Sequence, residues 1–221
     1  MWFNRQKHNQ STIFLVIDDN EAALITCENN QSHHPFVLNS YTALPPAWFL
    51  NGAPWHMEPF TTYLHSYVKN HNLKNPLLVC ACHGETTYEK TVTLSHTPTQ
   101  SSVPPDKNFT HYAWHATTLS TTDQEQLSYL ISGIPHSTLF RLRLCSDKST
   151  CTLNRVTTLR ASMQTLYDYC QRHNILPENT QQESAPLDTI LSALCSPQPA
   201  NHTNRLVLAA LGLSLFERKL L

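Results

Sequence analysis

Ile13-Phe14-Leu15-Val16-Ile17 is a continuous apolar run that stops at Asp18-Asp19-Asn20. Five apolar residues with no polar alternate predict a short strand covered on both faces. Residues 22–28 follow after a turn short enough to close a hairpin, and residues 35–43, richer in alternation, predict a third strand. Pro45-Pro46 ends this meander. Beyond Trp48 and Trp55, the residues Phe60, Tyr63, Leu64, Tyr67 and Val68 recur at i, i+3, i+4, i+7 and i+8. That spacing predicts an amphipathic helix over 58–72, with Glu58 suited to its positive end. After Pro76, residues 77–82 read as a second buried strand, and residues 86–94 alternate like their neighbour across a turn at Gly84. The order is βββαβ with an extra strand.

The second half is less regular. Residues 95–107 are rich in Ser, Thr and Pro without periodicity and predict a loop or boundary, and residues 123–131 a short helix. Over 138–145, Phe140, Leu142 and Leu144 share one parity and Arg141 and Arg143 the other, so the simplest expectation is a strand with an arginine-bearing solvent face. Leu159, Met163, Leu166, Tyr167 and Cys170 predict a helix over 158–172, capped by Thr157 or Thr158, with Arg172 and His173 at its negative end. Residues 177–186 read as a polar linker and Leu187, Ile190, Leu191 and Leu194 as a short helix. The last segment, 205–219, is apolar on nearly every side through Leu213 but too short to span a bilayer, and predicts a buried closing helix. The expected organisation is a βββαβ half over 1–94, a linker over 95–122, and a smaller, mostly helical part over 123–221.

Composition narrows the chemistry. A formal net charge of −1 leaves no basic field to gather nucleic acid or anionic lipid. The polar start, Met1 to Gln10, lacks a signal-peptide core, which predicts a cytoplasmic protein with reduced thiols. Seven cysteines, odd in number and without C-x2-C pairs, argue against a disulfide framework and a zinc finger. Cys80 and Cys82 share a strand face and read as small core residues, with His83 at the turn; a zinc site there would need a further ligand such as Cys145, Cys151, His33 or His34. No G-x-S-x-G elbow exists, and no Cys/His pair is singled out, so enzymatic activity is not expected.

The four glycines, Gly52, Gly84, Gly133 and Gly212, are dispersed, and none lies two positions after an aspartate. Phosphate loops need clustered glycines so that backbone N–H groups can reach the anion. Phe14 to Cys27 (FLVIDDNEAALITC) nevertheless resembles the first hairpin of the PilM family, actin-like proteins of type IV pilus assembly, in which a hydrophobic strand ends in Asp-x-Gly-Ser. Ser40 to Asn70 looks like that family's third strand, Leu-Pro-Pro turn, "leaving a Gly" loop and first helix. LLVCACHGETTYEKTVTL follows where the family has its next strand pair, and AALGLSL near the end resembles its closing helix.

The resemblance implies an α/β, actin-like (ribonuclease H-like) fold and a scaffold at the cytoplasmic face of an inner-membrane platform, in a type IV pilus or type II secretion-like system. It also implies a partner, the cytoplasmic N-terminal peptide of a PilN-like membrane protein, through which the chain would be peripheral to the membrane. Asp18 fits the family's phosphate-loop aspartate. Asn20 stands where that loop has glycine and Glu21 where it has a hydroxyl residue, so ATP and Mg²⁺ are disfavoured, no metal or catalytic residue is expected, and Asp18 and Asn20 form a degenerate cofactor loop. Arg141 and Arg143 are the candidate polar contacts to the partner. The alternative is an actin-like or receiver-like regulatory domain that retains nucleotide or Mg²⁺; against a receiver, no helix follows Glu21 and no aspartate occurs between Asn20 and Asp106.

Overall fold

The computed structural model describes residues 11–19, 21–29, 36–98, 109–121, 127–176, 187–196 and 204–218. Strands β1 (Thr12–Asp18), β2 (Glu21–Asn29) and β3 (Phe36–Leu44) form the expected meander. The small hairpin β4 (Phe49–Leu50) and β5 (Ala53–Pro54) leads to helix α1 (Met57–Asn70) and strand β6 (Leu77–His83). Then come β7 (Tyr88–Leu94), β8 (Tyr112–Thr121), β9 (Leu127–Pro135), α2 (His136–Lys148), β10 (Thr152–Thr158) and α3 (Leu159–Arg172). Helix α4 (Leu187–Leu194), a two-residue strand β11 (Cys195–Ser196) and α5 (Asn204–Arg218) complete the order.

Six strands make the central sheet, in the order β10-β6-β1-β2-β3-β11. β1, β6 and β10 run parallel, while β2 is antiparallel to both β1 and β3. This arrangement contains the expected βββαβ core, β1-β2-β3-α1-β6, with a further strand at each edge. Alternation along β1 explains its unbroken apolar run. Ile13, Leu15 and Ile17 face a core shared with Phe60 and Leu64 of α1 and Leu142 of α2. Phe14 and Val16 face the other way, into a core built by α3, α4 and α5. A strand covered on both faces has no polar side to display.

Helix α5 is buried along 206–215, and it can be so because α3 meets it almost backbone to backbone. A Cβ placed on Gly212 would lie 2.1 Å from the Ser162 carbonyl oxygen. The Ser162 hydroxyl donates to the Ala209 carbonyl at 2.5 Å, which satisfies a polar group that α3 would otherwise bury unpaired. Among the described residues no helix is long and apolar enough to cross a membrane.

Several expectations change. Residues 138–145 are helix, not strand: the buried positions Thr138, Leu142, Cys145 and Ser146 follow helical spacing, while Phe140 is 63% exposed. The sequence there fits both periods, and burial against α1 decides for the helix. Residues 127–131, expected in a short helix, begin strand β9, whose Tyr129, Leu130 and Ile131 are all buried; the earlier residues of that stretch lie outside the described ones. The extra strand β7 does not return along β6 but pairs with β9 in a separate three-stranded sheet, β7-β9-β8. The stretch expected to be a linker contains β8, and β10, from the expected helical part, joins the central sheet beside β6. The linker at 177–186 lies outside the described residues.

Helix α1 buries Phe60, Leu64, Tyr67 and Val68, with Leu64 fully inaccessible and Lys69 exposed. Leu64→Ala is expected to cost about 2–5 kcal/mol in urea unfolding, while Lys69→Ala changes stability by less than about 0.5 kcal/mol. Equal effects would show that the helix face is misassigned.

Candidate functional site

Open α/β sheets place ligands beyond the carboxyl ends of their parallel strands. Here β1 and β6 end in register at Asp18 and His83. Asp18 also pairs with Glu21 across the hairpin, and Asp19 in the turn has a φ of 48°. Aspartate is among the few non-glycine residues that tolerate this left-handed conformation. The Asp19 N–H donates to the His83 carbonyl at 3.0 Å, extending the β1–β6 ladder by one bond past the end of the strands.

Groups from four further elements close around this corner. Arg205, in the first turn of α5, places Nη1 2.9 Å from Asp18 Oδ2. A cation at the positive end of a helix is opposed by the helix dipole, and the Asp18 carboxylate, 14% exposed, offsets that opposition. Glu89 of β7 accepts from the Arg160 N–H at 3.2 Å, a favourable carboxylate position at the start of α3. Thr158, where β10 ends, caps the same helix by accepting from the Ala161 N–H at 3.3 Å. His83 lies between two carboxylates, with Nε2 3.9 Å from Asp19 Oδ2 and Nδ1 3.9 Å from Glu89 Oε2.

The floor of the corner is backbone on backbone. The β4–β5 turn, Asn51-Gly52 with φ of 50° and 75°, rests on His83-Gly84. A Cβ on Gly52 would approach the His83 carbonyl oxygen to 2.6 Å, and one on Gly84 would lie 2.2 Å from the Asn51 carbonyl carbon. The Thr86 hydroxyl donates to the Asn51 carbonyl at 3.2 Å and secures the contact. Both glycines therefore serve the packing of one loop on another, and neither opens N–H groups toward an anion.

Of the residues anticipated from sequence, Asp18 lies at this corner and Asn20 lies outside the described residues. Arg141 and Arg143 are elsewhere, on α2 in the layer opposite α5. Arg141 donates to the Pro54 carbonyl at 3.2 Å and stacks over Trp55, 5.1 Å from the ring centre. Arg143 is exposed and sits 3.8 Å from Asp147, one helical turn on. Trp55 and Phe140, the residue before Arg141 on α2, are 51% and 63% exposed.

Cys80 and Cys82 are core residues, packed with Cys145 and Cys151 beneath α1 and α2. Burial pushes the Cys82 thiol up to about 12, that of Cys151 to about 11, and that of Cys80 well above its usual value. A thiol held protonated is neither nucleophile nor metal ligand at neutral pH. The candidate zinc ligands His33 and His34 lie outside the described residues. Arg205, Arg160 and Glu89 escape sequence reasoning because their partners are remote in the chain. The only local sign is a cation at the wrong end of a predicted helix.

No protein-family model matches the chain, and no curated protein sequence matches it. Among solved structures it is similar to a chain of the "PilM-PilN type IV pilus biogenesis complex", with a TM-score of 0.54 and 11% identity over 73% of this chain. The fold is PilM-like and actin-like. A second similar structure is the cytoplasmic domain of EpsL, an inner-membrane component of the type II secretion system of Vibrio cholerae (TM-score 0.43, 10% identity, 68% of this chain and 57% of that one). The chain spans about half the length of the PilM–PilN complex chain that it matches, covering 51% of it.

The loop-on-loop contact is open to a direct test. Gly52→Ala combines a left-handed φ with a backbone clash and is expected to destabilise by about 2 kcal/mol or more in chemical unfolding. A neutral substitution would show that the contact is not close.

Proposed function

We propose that this chain is a non-enzymatic docking scaffold of an inner-membrane platform in a type IV pilus or type II secretion-like system, and that it captures the cytoplasmic N-terminal peptide of a PilN-like membrane protein. The observation that carries the reading is the engaged phosphate corner of a PilM-like fold. Asp18, the residue that matches the phosphate-loop aspartate, is held by Arg205 at 2.9 Å, with Glu21 beside it in the hairpin. Carboxylates at this turn oppose a polyanion, and the nearby glycines are spent on loop packing. What such a fold keeps without nucleotide is its surface.

The peptide surface belongs on α2. Phe140 and Trp55 offer apolar area, Arg141 is fixed in place by Trp55 and the Pro54 carbonyl, and Arg143 projects beside them. A guanidinium preorganised over an indole suits backbone carbonyls or a carboxylate of a short extended peptide. The association is local to the membrane because the partner is anchored there.

Titration calorimetry with Mg-ATP is expected to give no binding; micromolar affinity that disappears in Asp18→Ala would defeat the engaged-corner reading. For the partner, fluorescence anisotropy would use the N-terminal peptide of the PilN-like protein from the same genome. Arg141→Ala/Arg143→Ala should weaken capture by about 2 kcal/mol, most of it from Arg141, since an exposed residue such as Arg143 mainly alters salt dependence. Undiminished capture by the double variant would move the peptide off α2, and no capture by the wild-type chain would remove the docking role.

A further inference from the structure

The corner that disfavours an anion has the makings of a cation site. Asp18, Asp19 and His83 each offer one ligand atom, and all of these lie within 4.8 Å of one another. The 3.9 Å from His83 Nε2 to Asp19 Oδ2 is too long for a hydrogen bond. It does suit two ligands of one ion, since bonds of about 2.0–2.2 Å put such atoms about 3.4 Å apart at a tetrahedral angle and about 4.2 Å apart when opposed. On its other side the imidazole faces Glu89, at 3.9 Å from Nδ1, and Glu89 is itself held by the Arg160 N–H. A carboxylate behind a ligating histidine fixes the ring and raises its basicity, the usual second partner of a metal-bound imidazole. This imidazole, placed between two carboxylates and bonded to neither, separates the cluster from an ordinary patch of acidic surface.

We propose that Asp18, Asp19 and His83 bind a first-row divalent cation of the zinc class, with Glu89 orienting the imidazole. One nitrogen and two oxygen donors suit Zn²⁺ better than Mg²⁺, which prefers oxygen alone and parts reluctantly with its water. Three protein ligands leave a position open to water. Asp18 has two oxygens, one of them engaged by Arg205, so the guanidinium competes with the ion for charge while leaving an oxygen for it. Bound metal ties the β1–β2 turn to the end of β6, across the single backbone bond from Asp19 to His83. The cysteines are buried away from this corner and do not compete for it. The site stands on its own geometry, independently of the docking role.

Calorimetric titration of the full chain with zinc chloride tests it, with magnesium chloride as the comparison. One equivalent of Zn²⁺ should bind, raise the melting temperature, and bind more tightly than Mg²⁺. Asp19→Asn, which keeps a residue tolerant of the left-handed φ, and His83→Gln should each lower the affinity by about tenfold or more, and Glu89→Gln by about 10- to 100-fold. Both Asp19 and His83 have exposed or half-exposed side chains, so the variants are expected to fold, and melting curves without metal check this. Arg205→Gln, which frees Asp18, should tighten binding severalfold. Co²⁺ substituted for Zn²⁺ should show d–d absorption without the sulfur charge-transfer bands that a cysteine site would give. Stoichiometric binding absent from the wild type, affinity equal in Asp19→Asn and His83→Gln, or weaker binding in Arg205→Gln would each overturn the proposal.

Discussion

Burial of the β1–β6 pair on both faces is the constraint from which the remaining architecture follows. Every residue from Ile13 to Ile17 and from Leu78 to Cys82 is buried, alternately under α1 and α2 and under α3, α4 and α5. A parallel pair of this kind cannot stand at a sheet edge or under a single layer without leaving apolar side chains in water. Helices on both sides are therefore required, and the closing helix has to be apolar all round because it fills the space between sheet and α3. Gly212 sets how near it can come.

Because the middle of the sheet is dry, its polar chemistry is displaced to the ends of the strands. The carboxyl ends of β1 and β6 deliver Asp18 and His83 side by side, and the first turns of α3 and α5 converge on them. In a phosphate-binding version of such a corner, free N–H groups and a glycine would meet an anion. In this chain the charges complement one another internally: Arg205 on Asp18, the α3 N-terminus on Glu89, and the Asp19 N–H on the His83 carbonyl. The same fold thus places an acidic, histidine-bearing corner where an anion would otherwise be cradled.

Sequence was most informative where an unbroken apolar run or a single apolar period marked an element. β1, β6 and α5 were readable as apolar runs, and α1 and α3 by helical spacing, with boundaries marked by the acidic turn after β1, Pro76 before β6 and the Thr158 cap of α3. α2 was not, since Phe140, Leu142 and Leu144 alternate while Leu142, Cys145 and Ser149 recur by helical spacing; only packing against α1 selects the second pattern. β10 carries mostly Thr, Asn and Arg and has no apolar period to detect, while in β8 the alternation of Tyr112, Trp114 and Ala116 is too short to stand out from the Ser/Thr-rich residues around it. At the site, Asp18 was legible from its place after an apolar run. Its partner Arg205 was not, because the pairing joins residues remote in sequence and leaves only the weak local sign of a cation at the positive end of a helix.

The two polar regions differ in how they could respond to a ligand. On α2, Arg141 is already fixed by a carbonyl and an indole, so the proposed docking of a peptide there would cost little further side-chain entropy. At the strand ends, His83 has carboxylates on both sides at distances beyond hydrogen bonding, so its position is less determined by the protein alone. A rigid surface favours affinity through preorganisation, whereas an incompletely satisfied cluster favours whatever completes it. One lies on the α2 face and the other at the carboxyl ends of β1 and β6, so the proposed peptide surface can hold its shape independently of the proposed cation corner.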